Sequence, residues 1–312
     1  MKVNKLINSF ESEFDLVGII KTKRYLDAAI ELNIAVPKNK YPTLVVLGLA
    51  YPKRIKKSNE TETYASFYTF GKDYHVVLED RINKVMEKIP FEYELDVDNH
   101  PHNERLAASI AGIGYFAKNQ LIINQDYGSY IFLGLVFIDV EIEQEHILPN
   151  TGGCGDCHIC IDACPTSALS DKGYDINRCI SYYNQTKKIL NDDEINANYC
   201  LFGCDICQLV CPKNINIKSF VHHEFELSSK EAVKYEDLFH LSERQFKNKY
   251  HDMAYLWKGK TILIRNALTI LLRHKNTLYN DLIQESIDKH KMSWYQETAK
   301  KVLNRLESLE QK

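Results

Sequence analysis

Cys154-Gly155-Asp156-Cys157-His158-Ile159-Cys160-Ile161-Asp162-Ala163-Cys164-Pro165 is the stretch on which the reading of this 312-residue chain turns. Three cysteines recur at every third position, and a fourth stands directly before a proline. With this spacing one short loop wraps an iron–sulfur cubane while the fourth thiolate reaches a second cluster. The other half of the pattern lies downstream, where Cys204, Cys207 and Cys211-Pro212 repeat the ending. The remaining ligand of that half is either Cys179 or Cys200. With the fourth ligands crossed, one [4Fe–4S] cluster takes Cys154, Cys157, Cys160 and Cys211. The other takes Cys164, Cys204, Cys207 and one of the two open candidates. Zinc would use four ligands, commonly two cysteine pairs. It leaves the two Cys-Pro endings and the order of eight ligands unexplained.

All nine cysteines fall between Cys154 and Cys211. A disulfide scaffold would not leave most of a long chain unstapled, so metal or redox chemistry is the reading. Apolar residues make up 45% of the chain and the net charge is −3. That allows more than one cored domain and by itself names no partner. Lys2 and Lys5 are not followed by an apolar signal region. The longest apolar runs, 43–51 and 130–140, are too short for a membrane span of ~20 residues. A cytoplasmic monomer with no membrane partner is expected.

Residues 1–150 alternate helix-like and strand-like segments, which predicts an α+β or α/β domain. Leu6, Ile7, Phe10 and Phe14 fit one helical face. Leu78, Ile82, Val85, Met86 and Ile89 fit another. Strands are predicted at 16–20, 43–51, 92–98, 121–124 and 130–140, with a helix at 103–111. Asp98 ends a predicted strand, and from the residues alone it is equally an acid for chemistry and a capping residue for that helix. Residues 151–215 form the cysteine module. Residues 216–312 show helical patterns only, one of them an apolar run over 262–272 that surrounds Arg265.

The window 244–275 holds Arg244, Lys247, Lys249, Lys258, Lys260, Arg265, Arg273 and Lys275 against Asp252 alone. Tyr250, Tyr255 and Trp257 are interleaved. Cations neutralise phosphates and aromatic rings stack on unpaired bases, so this window predicts a nucleic-acid surface.

Upstream of the cysteines, Gly71-Lys72-Asp73-Tyr74-His75, Asp98-Asn99-His100-Pro101, Glu104-Arg105, Gly112-Ile113-Gly114-Tyr115, Ala117-Lys118-Asn119 and Gly128-Ser129-Tyr130 occur in order. Arg178-Cys179-Ile180-Ser181 and Gln185-Thr186-Lys187 follow. Together with the cysteine pattern these resemble the epoxyqueuosine reductase family over roughly residues 40–270. The resemblance implies reduction of epoxyqueuosine to queuosine at the tRNA wobble position, as the last step of queuosine biosynthesis. It implies two [4Fe–4S] clusters and cobalamin as cofactors, and a reducing electron donor as partner. It assigns Cys179 rather than Cys200 to the second cluster and makes Asp98 the proton donor, kept protonated by burial beside the corrin. Ser66, Asp98, Asn119, Ile122, Leu133, Ser181 and Asp205 align with expected cobalamin contacts. Gln185 and Lys187, with Lys258, Lys260 and Arg265, are the expected tRNA contacts. Residues 1–150 become the cobalamin domain, 151–215 the ferredoxin-like module and 216–312 a HEAT-like tRNA-binding segment. The chain departs from the family pattern at Asn99-His100, where small residues are commoner. His100, His102 and His158 are competing sources of the proton or a cobalt ligand. A corrinoid reductase of a small molecule and a plain electron carrier are the alternative functions.

Overall fold

The run Thr-Leu-Val-Val-Leu-Gly-Leu-Ala has no room for a polar face, and it forms the strand Thr43–Ala50 with all eight residues buried. Its surroundings are those of the computed structural model, which describes residues 3–98, 100–150, 152–218 and 222–310. Asn99 of the sequence motif and Lys2 lie outside the described residues.

The chain divides into two compact units. The first comprises Met1–Lys53, Tyr74–His158 and Gln208–Glu224. The second comprises Arg54–Asp73, Ile159–Cys207 and Phe225–Lys312. The boundaries expected at 150 and 215 do not coincide with these units.

In the first unit, β1 (Leu16–Lys21), β2 (Thr43–Ala50), β3 (Tyr93–Asp96) and β4 (Ile131–Ile138) form one sheet in the order β1-β2-β4-β3, antiparallel throughout. The domain is therefore α+β. The habit of parallel sheets to place ligands at their carboxyl edge gives no guide here. Residues alternate between faces. Leu44, Val46, Leu135 and Phe137 pack beneath α2 (Thr22–Glu31) and α4 (Glu104–Ile110). On the opposite face lies α3 (Tyr74–Met86), with α1 (Val3–Glu11) beside it. Gly134 admits α3 closely, since a Cβ there would stand 3.2 Å from Leu78. The helix α2 was not predicted, because its apolar residues are few and interrupted by charges. The strand expected at 121–124 shrinks to Ile122–Ile123 and pairs only with Tyr115–Phe116, outside the main sheet.

In the second unit, α5 (Tyr235–His240), α6 (Lys260–Arg273), α7 (Asn280–Lys289) and α8 (Ser293–Glu310) enclose a core that includes Tyr183, Leu190, Phe246, Tyr255, Leu263 and Leu303. The expectation of helices alone beyond 216 needs correction. Ala232–Lys234 is a strand paired antiparallel with Glu62–Tyr64. Three residues are too few to display an alternation. Among the described residues, no helix is long and apolar enough to cross a membrane.

Candidate functional site

The cysteines lie in turns and one-turn helices, Cys160 in Ile159–Asp162 and Cys207 in Ile206–Leu209, and backbone N–H groups reach the sulfurs of Cys164, Cys204 and Cys211. In the second unit the thiols of Cys204, Cys179, Cys160 and Cys164 all bear on Cys207, and burial pushes the Cys207 and Cys204 thiols up, Cys204 to about 12. The Tyr199 hydroxyl donates to Cys204 Sγ at 3.5 Å and accepts the Asp205 N–H at 2.8 Å. Cys200 belongs elsewhere. Its buried thiol donates to the Phe202 carbonyl at 3.2 Å and the Tyr64 carbonyl at 3.6 Å. In the first unit Cys154 and Cys211 pack around Ala117 and Ile123, and the Lys118 N–H donates to Cys154 Sγ at 3.4 Å. N–H and O–H donors on sulfur suit thiolate ligation and tune cluster potential when a cluster is bound, while among the described residues no three His, Cys, Asp or Glu side chains stand together as a site for a single metal ion.

The Gly128-Ser129-Tyr130 motif has a local physical cause. Asn214, three residues past Cys211, accepts the Ser129 N–H at 2.9 Å and donates to Ser129 Oγ at 2.8 Å. Gln208 donates at 3.1 Å to the Ser129 carbonyl and to the Tyr51 hydroxyl. Gly128 has φ +59°, and a Cβ there would meet Asn214 Oδ1 at 2.1 Å. Only glycine lets the backbone approach this closely. The motif is visible in the sequence but its partners are not, since they lie some 80 residues away.

Asp98 sits on the loop between β3 and α4 with φ +57°, a left-handed conformation that aspartate tolerates better than most residues. Asn103, not Asp98, caps α4, accepting the Leu106 N–H at 3.0 Å. The capping alternative is thereby removed. The Asp98 N–H donates to Glu104 Oε1 at 2.7 Å, and Asp98 Oδ2 lies 3.0 Å from His75 Nε2. The expected burial of Asp98 needs correction for the chain's own residues, since its side chain is 48% exposed. Its neighbours are the desolvated groups. Burial pushes Glu104 up to about 8 and raises Asp96 as well. His100 Nδ1 lies 2.9 Å from Asp96 Oδ1, and His102, lowered by burial, lies 3.8 Å from the same carboxylate. Two of the three competing histidines thus attend Asp96, and His158 is exposed. Arg105 of the Glu104-Arg105 pair donates to the Gln120 carbonyl at 2.7 Å and covers the Phe116 ring.

The residues aligned with cobalamin contacts fall in two groups. In the first unit Asn119 and Ile122 are buried and Leu133 is partly so, the latter two on the same core as α4. In the second unit Ser66 Oγ donates to Asp205, whose carboxyl burial pushes up to about 7. The Ser181 carbonyl accepts from Gln185 Nε2 at 2.7 Å. Small hydroxyl, amide and near-neutral carboxyl groups suit the amide-fringed edge of a corrin.

Two expected tRNA contacts need correction. Arg265 is fully buried and donates to the carbonyls of Thr186, Lys188, Tyr183 and Asn184. Lys260 is 5% exposed, donates to the Leu241 carbonyl and is lowered by burial to about 8. Both donors are spent inside the unit, because an apolar helix core tolerates a cation only when carbonyls surround it. Lys187 is exposed and Gln185 half-buried. Lys258 Nζ lies 3.5 Å over the Trp257 ring, which is 52% exposed. A groove of about 360 Å³ that the sequence did not reveal is lined by Arg273, Lys275 and Arg305.

A family model described as a 4Fe–4S double cluster binding domain matches residues 153–214, and one described as epoxyqueuosine reductase QueG, DUF1730, matches residues 35–104. An epoxyqueuosine reductase of Lactococcus garvieae is 34% identical over 261 residues, 79% of this chain and 72% of that protein. One of Bacillus subtilis is 34% identical over 264 residues, 80% of this chain and 67% of that protein. A crystal structure of an epoxyqueuosine reductase with a tRNA-Tyr epoxyqueuosine-modified stem loop matches with TM-score 0.79 and 26% identity, covering 98% of each chain. Another, from Bacillus subtilis and described with its catalytic aspartate loop swung out of the active site, matches with TM-score 0.78 and 25% identity over 97% of this chain and 98% of that one. Identity above 30% across most of both sequences, on a shared fold and a shared cluster module, means that this chain belongs to the epoxyqueuosine reductase family.

Proposed function

We propose that the chain reduces epoxyqueuosine to queuosine at the wobble position of tRNA, with two [4Fe–4S] clusters and cobalamin as resident cofactors. In this reading residues 1–150 carry cobalamin and the reacting group, 151–215 hold the clusters and 216–312 serve the tRNA. Cys154, Cys157, Cys160, Cys164, Cys179, Cys204, Cys207 and Cys211 are the cluster ligands. Ser66, Asn119, Ser181 and Asp205 offer polar groups to the corrin, and Ile122 and Leu133 pack against it. When bound, the cofactors supply two electrons at low potential. Removing the epoxide oxygen as water also consumes two protons, and this chain must deliver them. In this reading Asp98, a half-exposed carboxyl on the loop before α4, protonates the substrate oxygen, and general acid transfer from a placed carboxyl contributes ~100-fold or more. Lys187, Gln185 and Lys258 are the remaining tRNA contacts of this reading, with Trp257 exposed for stacking on a base that has left the loop.

The observation that carries the proposal is one chain holding both the paired cysteine loops and an acid loop built around Asp98. The test is anaerobic reconstitution with iron, sulfide and cobalamin, then mass analysis of nucleosides from tRNA carrying epoxyqueuosine, with a strong chemical reductant replacing the physiological donor. Conversion is expected in the parent protein. Asp98→Asn should keep eight irons per chain by this reading and lose at least ~100-fold in rate. No conversion by the parent would overturn the assignment.

A further inference from the structure

Asp98 has a supply problem. The Asp98 side chain is 48% exposed, and a solvated carboxylic acid is ordinarily ionised at neutral pH. The reaction proposed above consumes two protons per turnover. The imidazole in direct contact with the Asp98 carboxyl is His75, whose Nε2 lies 3.0 Å from Asp98 Oδ2, whereas Glu104, raised by burial to about 8, is engaged by the Asp98 backbone N–H rather than by its carboxyl.

His75 is not an idle surface histidine. Its side chain is 19% exposed and is held in place by a column of rings. His75 stacks on Tyr74 with centroids 4.0 Å apart. Tyr74 stacks on Phe132 at 4.2 Å with an interplanar angle of 2°, and Phe132 stacks on Tyr51 at 4.3 Å. Tyr51 is pinned in turn by Gln208, which donates to its hydroxyl at 3.1 Å. Offset aromatic stacking of this kind fixes ring orientation, so the imidazole edge is presented to Asp98 by the core of the sheet. His75 also occupies the first turn of α3, where the helix dipole disfavours a cation. A proton on His75 is therefore held by the carboxylates facing it. Chief among these is Asp98 in direct contact; Glu104 behind it, raised to about 8, is largely uncharged at neutral pH, Asp96 is attended by His100 and His102, and Glu79 lies one turn along the same helix.

We propose that His75 is the proton source of the acid loop, loading Asp98 for each of the two protonations. The inference rests on the reductase reading given above. In the first step Asp98 O–H is broken and an O–H bond forms on the substrate oxygen as its C–O bond opens. The His75 N–H bond is then broken and the carboxyl O–H restored, with solvent reloading the imidazole. In the second step the same transfer lets the oxygen leave as water, the two electrons coming from the bound reductant centres. His75 acts through Asp98 and is a positioning residue in that sense.

Two measurements on holoprotein test this. In the parent, kcat/KM should stay level up to the titration of His75 and fall above it. In His75→Gln it should fall about tenfold per pH unit across pH 6 to 8, the behaviour of an unassisted carboxyl. Iron content and stem-loop affinity should equal the parent's. Independently of turnover, the His75 imidazole is followed by NMR in histidine-labelled protein, assigned by its absence in His75→Gln. Its pKa should drop by at least half a unit in Asp98→Asn. A level profile in His75→Gln, or an imidazole pKa indifferent to Asp98→Asn, overturns the proposal. Failure of the parent to convert epoxyqueuosine sinks the functional reading instead, and the imidazole titration still decides the linkage.

Discussion

Glu104 accepts the backbone N–H of Asp98 at 2.7 Å and so holds the left-handed turn that aims the acid. Its position in the Glu104-Arg105 pair was legible in the sequence. Its environment was not, because desolvation depends on the sheet and helix that close around it. Burial is the main cause that pushes its carboxyl from 4.5 to about 8, with Asp98 and Asp96 adding to it. Between those two values the folded chain binds more protons than the unfolded chain. This contribution is therefore fully present below about 4.5 and is lost as pH rises through about 8. Glu104→Gln removes the titration while keeping an acceptor for the Asp98 N–H. The expected outcome is a smaller fall in unfolding temperature between pH 5 and pH 8 in Glu104→Gln than in the parent, read by calorimetry on holoprotein. Asp96 is raised in the same direction and interacts with Glu104, so loss of the Glu104 charge can only flatten the Asp96 contribution further and does not reverse the expected sign. Parallel curves would show that Glu104 ionises in the fold as it does in water.

The helix α6 shows how far a pattern can be read before packing decides. Its apolar spacing marked a helix correctly, and the same run surrounds Arg265 on every side. A cation in the middle of a helix with no polar face is a sign of burial, and the structure puts it at 0% exposure. Counting it with the surface charges ignored that sign. Strands of eight residues such as β2 and β4 declared themselves because every position is apolar or small. The ribbon of Ala232–Lys234 and Glu62–Tyr64 did not, because its partner lies far away in sequence and neither half carries a period. Arg265 joins α6 to the segment 183–188 by donating to four main-chain carbonyls, with Asn266 Oδ1 as a further acceptor at 2.8 Å. Arg265→Met would leave those acceptors unmet, and each buried unmet group costs about 1–3 kcal/mol. The expected loss in denaturant unfolding is ~3 kcal/mol or more. The salt dependence of stem-loop binding should not change. A change in that dependence with stability intact would return Arg265 to the tRNA surface.

For the whole chain, the charge balance of −3 conceals how its cations are used. Of the basic window, Arg265 and Lys260 are internal, and Lys249 and Lys247 are paired with Asp237 and Glu243 at 2.7 Å and 3.6 Å. What remains toward the end of α6 is Arg273 and Lys275, and α8 adds Arg305 to the same groove. Arg273 and Arg305 are both anchored on Asn196, through its carbonyl at 3.2 Å and its side-chain oxygen at 2.6 Å. Among the described residues neither arginine is paired with a carboxylate, so their charge stays available to an anion. Each phosphate neutralised releases condensed counterions and adds about 0.7–0.9 to the slope of log affinity against log salt. The triple variant Arg273→Gln, Lys275→Gln, Arg305→Gln should therefore lower that slope by about 2 for the epoxyqueuosine stem loop. Iron content and the unfolding midpoint should stay at the parent's values, because these side chains line a surface groove rather than a core. The measurement is a titration at four salt concentrations. An unchanged slope would place the phosphate contacts elsewhere, on Lys187 and Lys258, and leave the groove without a part in tRNA binding.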